Sequence, residues 1–404
     1  MGRKGLLPTL FGTMLLCLTS FEGQAQEHIY VRGADTLHYS YTPIEEPQPA
    51  PEKKPGFLRR MVRYFERAAE DHTFEKKIDF TFAGGIGYSK NTNVTFALLA
   101  AGLYRVDRTD SITPPSNFTV FGSASVVGYY AFGVTGTNLW RKSRQRLNYK
   151  VDFSSSPRDV WGRGFEAGRD NGRQDFVEKE FKVDLDFQQR LFRHTYAGIV
   201  MNFQHTRGKD FDNDIYLRTD DPAYSTTGLG LVVEYDSRDL STNPQKGAYI
   251  SLKGTIFPKG LGTQGATLWR SNFTIDLFQR LWQGAILGMD IAGEFNSKGA
   301  PWTMLAKLGG SNRMRGYYKG QYTDNSILTA QMELRQHIWR RIGGVVWVGG
   351  GNVFPDLRSF KWRHTLPNYG LGLRWTFKKG MNVRIDYGFG KHTSGLILNI
   401  NEAF

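Results

Sequence analysis

The stretch MNVRIDYGF, residues 381–389, decides the fold of this chain because its side chains alternate strictly in character. The odd-numbered positions are apolar: Met381, Val383, Ile385, Tyr387 and Phe389. The even-numbered positions are polar or small: Asn382, Arg384, Asp386 and Gly388. Successive side chains of a β-strand point to opposite faces, so this period of two residues predicts a strand with one apolar and one polar face.

Similar alternation recurs in FKVDLDFQ (181–188) and ILTAQMELRQHI (327–338), and strand-like segments fill the chain from residue 77 onward. We predict sixteen strands, at residues 77–88, 92–105, 117–127, 130–141, 145–154, 174–191, 194–206, 225–236, 247–257, 265–280, 282–296, 326–340, 342–353, 368–377, 381–390 and 394–403. A soluble β-sandwich would show the same alternation. Long segments, the lack of an intervening helical segment, and aromatic residues near the ends of apolar faces favour an antiparallel transmembrane β-barrel over residues 77–404 instead.

The predicted connections also alternate in length, as they do in outer-membrane barrels. Short turns follow most even-numbered strands, for example RKSR at 141–144 and LWQG at 281–284. Long connections follow odd-numbered strands, at 155–173, 207–224, 297–325 and 354–367. An even strand number with short turns at one end and long loops at the other is what a single-chain bacterial barrel requires.

Residues 1–25 have the pattern of a signal peptide, with Arg3 and Lys4 ahead of an apolar core too short to span a bilayer. Together with the barrel, this predicts the outer membrane of a Gram-negative bacterium. Cys17, the one cysteine of the chain, lies in that core, so we expect no disulfide in the mature protein. A formal net charge of +14 would suit nucleic acid, but an exported chain is better matched to anionic membrane lipid.

Two segments separate the signal peptide from the barrel. Residues 26–55 form a Pro-rich linker that contains EEPQPAPEKKP. Residues 56–72 predict a short, basic, amphipathic helix, which either lies on an anionic membrane surface or packs against the barrel mouth.

The last predicted strand places Leu396, Leu398, Ile400 and Phe404 on one apolar face. An apolar face that ends on an aromatic residue resembles the assembly signal of outer-membrane barrels, whereas an ordinary edge strand would look much the same. We single out Leu398, Ile400 and Phe404 as this signal.

Four stretches, taken in order, resemble the BamA/TamA superfamily of outer-membrane barrels, also called the bacterial surface antigen family. They are EYDSRDLSTNPQKGAYISL (234–252), GGSNRMRGY (309–317), ELRQHI followed by VVWVGGGNVF (333–354), and GLGLRW followed by VRIDYGFG (370–390). The resemblance covers about residues 77–404 and implies that the loop after the eleventh strand folds back into the lumen. Its signature tetrapeptide matches Met314, Arg315, Gly316 and Tyr317.

In that family the loop arginine meets acidic side chains on the barrel wall. Glu333 matches one of these acids, so the resemblance implies a contact between Arg315 and Glu333. The second acid is expected at Gly349 and is missing, which leaves Asp386 or backbone carbonyl groups as possible substitutes. The family's assembly and secretion members carry periplasmic POTRA modules, but this sequence resembles the short form that has the barrel alone.

The resemblance implies a barrel that assists the insertion or translocation of proteins or lipids at the outer membrane. Gly84, Gly85 and Gly87 near the first strand's end either weaken a seam between the first and last strands or make room for bulky neighbours. Two alternatives stay open: a passive pore or structural surface barrel, and a membrane anchor for a separate periplasmic partner. Recognised catalytic and metal-binding motifs are absent from the sequence, so we expect no enzyme, metal or cofactor, and as partners only lipids, an unfolded client or a periplasmic protein.

Overall fold

The computed structural model describes residues 56, 64, 72–111, 113–140, 142–211, 221–263, 265–378 and 380–404. These residues belong to a compact unit at 55–404. The predicted signal peptide and Pro-rich linker lie outside the described residues, as does most of the predicted helix at 56–72. Within the described part of the chain, no helix is long and apolar enough to cross a membrane.

Sixteen strands form a closed antiparallel barrel, which confirms the predicted fold. The first half comprises β1 Asp79–Ser89, β2 Asn93–Tyr104, β3 Ser116–Ser125, β4 Tyr130–Trp140, β5 Gln145–Val160, β6 Gln174–Phe192, β7 Thr195–Lys209 and β8 Ala223–Asp236. The second half comprises β9 Gly247–Phe257, β10 Leu268–Trp282, β11 Ala285–Asn296, β14 Ser326–Trp339, β15 Ile342–Phe354, β16 Leu366–Lys378, β17 Met381–Gly390 and β18 Thr393–Ile400. Each strand pairs with its neighbour along the barrel, and β18 returns to β1.

The two faces of each strand have opposite environments. In β17 the side chains of Arg384 and Asp386 are fully buried in the lumen, whereas Ile385 and Tyr387 are each 38% exposed on the outside. Leu371 and Leu373 on β16 are more exposed still. An apolar outer surface around a polar interior is the pattern of a barrel that sits in lipid, where closure of the sheet gives each strand a neighbour on both sides.

Most strand ends shift by up to three residues from the prediction, and two differences have a clear physical reason. The fifth strand, predicted to end at 154, continues through Pro157 to Val160. Beyond Ser155 the strand no longer pairs with β4 and pairs with β6 alone. The missing N–H of Pro157 therefore faces an unpaired edge. The last strand ends at Ile400 instead of 403 because the chain turns at Asn401, whose φ is +67°.

The connection at 297–325 fills part of the lumen. It contains a short 3-10 helix, Trp302–Met304, and a two-stranded sheet formed by β12 (Ala306–Lys307) and β13 (Thr323–Asp324). A six-residue helix of the β5–β6 connection, α1 (Phe165–Asp170), packs against it. Together they bury one apolar cluster at the long-loop end of the barrel: Phe165, Leu308, Met314, Tyr317, Tyr322, Val353 and Leu366. We call residues 297–325 the lumen loop.

Candidate functional site

The tip of the lumen loop approaches the barrel wall more closely than any side chain would allow. Gly316 has a φ of +99°, and a Cβ on it would lie 2.5 Å from the carbonyl oxygen of Gly388 on β17. A Cβ on Gly388 would in turn lie 2.3 Å from the carbonyl oxygen of Arg315. This pair of glycines lets the two backbones touch, and the contact fixes where Arg315 points.

Arg315 is fully buried and binds two carboxylates on different strands. Its Nη2 lies 2.7 Å from Oε2 of Glu333 on β14, and its Nη1 lies 2.8 Å from Oδ2 of Asp386 on β17. Its guanidinium carbon also lies 3.6 Å from the ring centroid of Trp347. A planar guanidinium can serve two carboxylates and an aromatic face at once, and a buried arginine needs such partners.

The structure therefore brings Arg315 together with both acids that the sequence offered. Glu333 and Asp386 act jointly, although Asp386 was expected only as a substitute. The acid that the resemblance placed at Gly349 has no room in this backbone, since a Cβ there would lie 2.4 Å from the carbonyl oxygen of Ala330. Gly372 makes the room for the replacement, because a Cβ there would lie 2.1 Å from Oδ1 of Asp386.

Three further side chains close these contacts into a ring of alternating charge. Arg335 Nε lies 2.8 Å from Glu333 Oε1 and 3.7 Å from Glu402 Oε2. Arg374 continues the ring, with Nε 2.7 Å from Glu402 Oε2 and Nη1 2.6 Å from Asp386 Oδ1. We call Arg315, Glu333, Arg335, Glu402, Arg374 and Asp386 the charged ring.

Arg335, Arg374 and Glu402 were not predicted as site residues. Arg335 already stood on the predicted polar face beside Glu333, so charges that share a lumen face were a usable signal. Glu402 had no such signal, because its position depends on the turn at Asn401.

One prediction about the last strand is wrong, because Phe404 does not lie on the outer face with Leu396 and Ile400. The chain turns inward after β18, and the ring of Phe404 stacks on Phe278 inside the barrel, with centroids 5.9 Å apart. Arg335 Nη2 also donates to the Phe404 carbonyl oxygen at 3.0 Å. The inward turn is stabilised by the contact between Phe404 and the lumen-facing Phe278 and by the ion pair between Glu402 and Arg374. Together these contacts outweigh the hydrogen bonds that a longer β18 would form with β1.

The seam between β1 and β18 is short. The register between these strands consists of one described pair, Tyr88 with Leu398. Antiparallel partners move in opposite directions from that pair, so Phe404 would lie opposite Phe82 if β18 continued. Because residues 401–404 turn into the lumen, this part of the β1 edge lacks β18 as a partner. At Phe82 the Tyr64 hydroxyl pairs with both the backbone N–H and the carbonyl oxygen, at 2.9 and 3.0 Å.

The three predicted seam glycines differ in their surroundings. A Cβ on Gly84 would lie 2.9 Å from the end of the Leu98 side chain, whereas one on Gly85 would meet nothing within 4 Å. A Cβ on Gly87 would lie 3.5 Å from the carbonyl oxygen of Leu398. Room for a bulky neighbour therefore explains Gly84 and leaves Gly85 without a packing reason.

The lumen loop holds the outer end of the same seam. The carbonyl oxygen of Gly316 accepts a hydrogen bond from the Thr393 hydroxyl on β18 at 2.9 Å. Asn91, in the β1–β2 turn, donates to the Lys319 carbonyl oxygen at 3.1 Å and accepts from the Lys319 N–H at 2.9 Å. The seam is thus tied at its outer end and open at the end where residues 401–404 leave it.

The opposite end of the barrel is narrowed by the β8–β9 connection at 237–246. Its Thr242 hydroxyl donates to the Gly380 carbonyl oxygen at 2.8 Å, across the barrel opening in the β16–β17 turn. Asp236 and Arg238 form a two-point ion pair at the start of this connection, at 2.9 and 2.8 Å. Thr242, Asp236 and Arg238 all belong to the stretch at 234–252, which therefore supplies a contact across the short-turn end.

Residues 129–404 match the Omp85 superfamily domain. BamA from Haemophilus ducreyi lacking POTRA domains 1–3 is similar with a TM-score of 0.57 and 11% identity, over 80% of this chain and 70% of that chain. CdiB from Acinetobacter baumannii is similar with a TM-score of 0.53 and 14% identity, over 81% of this chain and 60% of that chain. CdiB from Escherichia coli is similar with a TM-score of 0.53 and 15% identity, over 80% of this chain and 62% of that chain. The chain thus spans less than two thirds of either CdiB structure, and identities this low show a common fold. The curated proteins contain no match.

Proposed function

This chain belongs to the Omp85 superfamily, and from that premise we propose that it assists insertion of client proteins into the outer membrane at the β1–β18 seam. The observation that carries the proposal is the asymmetric seam. Its outer end is tied by the lumen loop, while its other end presents a β1 edge that β18 does not cover. A strand edge that the neighbouring strand leaves uncovered is a template on which an extended client segment can form main-chain hydrogen bonds, here after it displaces the Tyr64 hydroxyl from Phe82.

The lumen loop argues against a passive pore. Three of its cations are bound to the barrel wall on different strands. Arg315 binds Glu333 and Asp386, Arg313 Nη2 lies 2.6 Å from Asp290 Oδ1, and Lys307 Nζ lies 2.7 Å from Glu178 Oε2. A loop held at three places keeps part of the lumen occupied, so we propose that client insertion takes place at the barrel wall and not through the lumen.

The test is an insertion assay with the purified barrel in liposomes. A small urea-unfolded outer-membrane barrel is added as the client, and its folding is followed by gel shift. Liposomes with an inert barrel of equal mass are the control. Faster client folding than in the control supports the proposal, and equal rates reject protein insertion in favour of lipid handling or of a barrel that needs a separate periplasmic partner.

A crosslink at the seam makes the test specific. With Cys17 replaced by serine, cysteines at 404 and 82 can be joined by a short thiol crosslinker only when residues 401–404 extend along β1. Cysteines at 404 and 278 are joined in the observed inward arrangement. We expect the 404–82 crosslink to abolish the acceleration and the 404–278 crosslink to preserve it. Acceleration that survives the 404–82 crosslink places insertion elsewhere on the barrel.

A further inference from the structure

The β15–β16 connection, residues 355–365, folds back over the outer wall of the barrel. Asn352 and Phe354 occupy outward positions of β15, yet they are only 2% exposed. The Asn352 amide donates to the Lys361 carbonyl oxygen at 2.9 Å and to the Thr365 hydroxyl at 3.0 Å. The ring of Phe360 packs edge-on against Phe354, with centroids 5.3 Å apart. A connection that would ordinarily project into water is thus held against the lipid-facing surface.

The exposed side chains of this connection alternate between apolar and cationic. Leu357 is 70% exposed and Trp362 is 80% exposed. Arg358, Lys361 and Arg363 stand between and beside them, also exposed. Large apolar side chains interleaved with cations match a membrane interface, where the rings lie at the headgroup level and the charges meet phosphate.

A groove of about 850 Å³ runs beside this connection on the outer face of β10, β11 and β14. Its floor is apolar or small, formed by Ser271, Phe295 and Ser326, which are cross-strand neighbours at one level of the wall. Trp269, 48% exposed, lines it on β10, and Pro355 to Arg358 line it on the other side. The floor suits an acyl chain, and it lies at the outer ends of the strands, where the outer leaflet begins.

Two cations line the groove. The side chain of Lys298 is 85% exposed, and Arg358 is exposed as well. Among the described residues that line the groove, Asp356 is the one acid, and its carboxylate already accepts hydrogen bonds from its own connection. Its Oδ1 accepts from the Ser359 N–H and hydroxyl, both at 3.0 Å, and these hydrogen bonds lower the pKa of Asp356. Its Oδ2 lies 3.8 Å from Lys298 Nζ, so the groove keeps a net positive charge.

We propose that this groove binds a phosphorylated lipid of the outer leaflet, with an acyl chain on the Phe295 and Trp269 surface and the phosphate between Lys298 and Arg358. The occupant is a lipid because the groove faces the bilayer and combines an apolar floor with a cationic rim at headgroup level. Phosphate is the shared chemistry of two candidate sources, a glycerophospholipid and a phosphorylated glycolipid. This inference requires only that the barrel sits in the outer membrane and stands apart from the proposed insertion activity.

The test is lipid binding by native mass spectrometry, with the barrel purified in a neutral detergent. Three probes are titrated: phosphatidylglycerol, lipid A, and a diacylglycerol that lacks phosphate. The test variant is Lys298→Ala/Arg358→Ala. The matched control is Lys142→Ala/Lys246→Ala, which removes two exposed lysines at the short-turn end of the barrel. A heat-modifiability gel verifies that both variants are folded.

We expect the test variant to bind the preferred phosphorylated lipid roughly 10- to 30-fold more weakly, with the control unchanged. Loss confined to phosphatidylglycerol identifies a glycerophospholipid, and loss confined to lipid A identifies a glycolipid. Equal binding of diacylglycerol by the native protein, an equal loss in both double variants, or no loss in the test variant would overturn the proposal. To test the apolar half, Trp269→Ala should weaken binding of the same lipid without changing its preference over diacylglycerol.

Discussion

Replacement of Arg315 by alanine is the sharpest test of how the lumen loop is held. The substitution removes one guanidinium from the charged ring and leaves two fully buried carboxylates, Glu333 and Asp386, each with one partner fewer. Removal of one member of a buried ion pair costs about 3–5 kcal/mol because the remaining charge stays desolvated. The contact with Trp347 is lost as well.

The remaining ring lowers this penalty toward the bottom of that range. Glu333 keeps Arg335 at 2.8 Å, and Asp386 keeps Arg374 at 2.6 Å. Arg384 lies 3.8 Å from Asp386 and supplies further positive charge. We therefore expect Arg315→Ala to destabilise the folded barrel by about 3 kcal/mol, which raises the ratio of unfolded to folded protein about 100-fold.

The assay is a guanidinium titration in detergent micelles, read as the shift between folded and unfolded bands on a semi-native gel. Arg169→Ala is the matched control, because Arg169 forms an ion pair of similar distance with Asp170 at the surface, where both side chains are about half exposed. Exposed pairs contribute about 0–1 kcal/mol, so this control should shift the midpoint little. Equal shifts for the two variants would refute a brace by the buried ring.

Three further predictions concern the lumen loop, the outer end of the seam and the charged ring. Gly316→Ala should lower the free energy of unfolding by more than about 2 kcal/mol, since position 316 combines a positive φ with a collision against β17. Gly299→Ala is the control, because Gly299 has a positive φ in open space, and it should cost about 1 kcal/mol. The same titration compares the two variants. Asn91→Ala removes two hydrogen bonds across the outer end of the seam and should cost about 1–3 kcal/mol, with faster hydrogen exchange in the β1–β2 turn as the local readout. Glu402→Gln weakens the 2.7 Å contact with Arg374, so carboxypeptidase should remove residues 401–404 faster than in the native protein. Unchanged digestion would show that Phe404 alone holds this segment.

Most of the fold could be read from the sequence, because in lipid every strand must show its apolar face to the outside and satisfy its backbone in a closed sheet. The alternation in β17 and its neighbours therefore indicated which side chains face lipid and which face the lumen. The places where the prediction was wrong are strand ends. There the outcome depends on which neighbour is still present, as at Pro157, or on a competing tertiary contact, as at Phe404.

The site was predictable only where a residue matched a known stretch. Arg315 and Glu333 came from the resemblance, and Asp386 came from its place on a polar face. The rest of the ring depends on register, since residues on different strands meet only when the strands are aligned to within one residue. Sequence spacing carries no such alignment for Arg374 and Glu402, which lie on β16 and beyond the end of β18.

The position of the second acid changes what the lumen loop is anchored to. An acid at Gly349 would have tied Arg315 to β15, which is separated from β18 by two strands, but Asp386 ties it to β17, which pairs directly with β18. Gly316 then reaches β18 itself through the Thr393 hydroxyl, and Glu402 carries the charged ring into the segment that leaves the seam. The loop tip, the charged ring and the seam are therefore one connected set of contacts in this chain. Any movement that opens the seam further must break contacts at the loop tip or in the ring, and this gives the buried arginine a physical link to the strand edge where we place insertion.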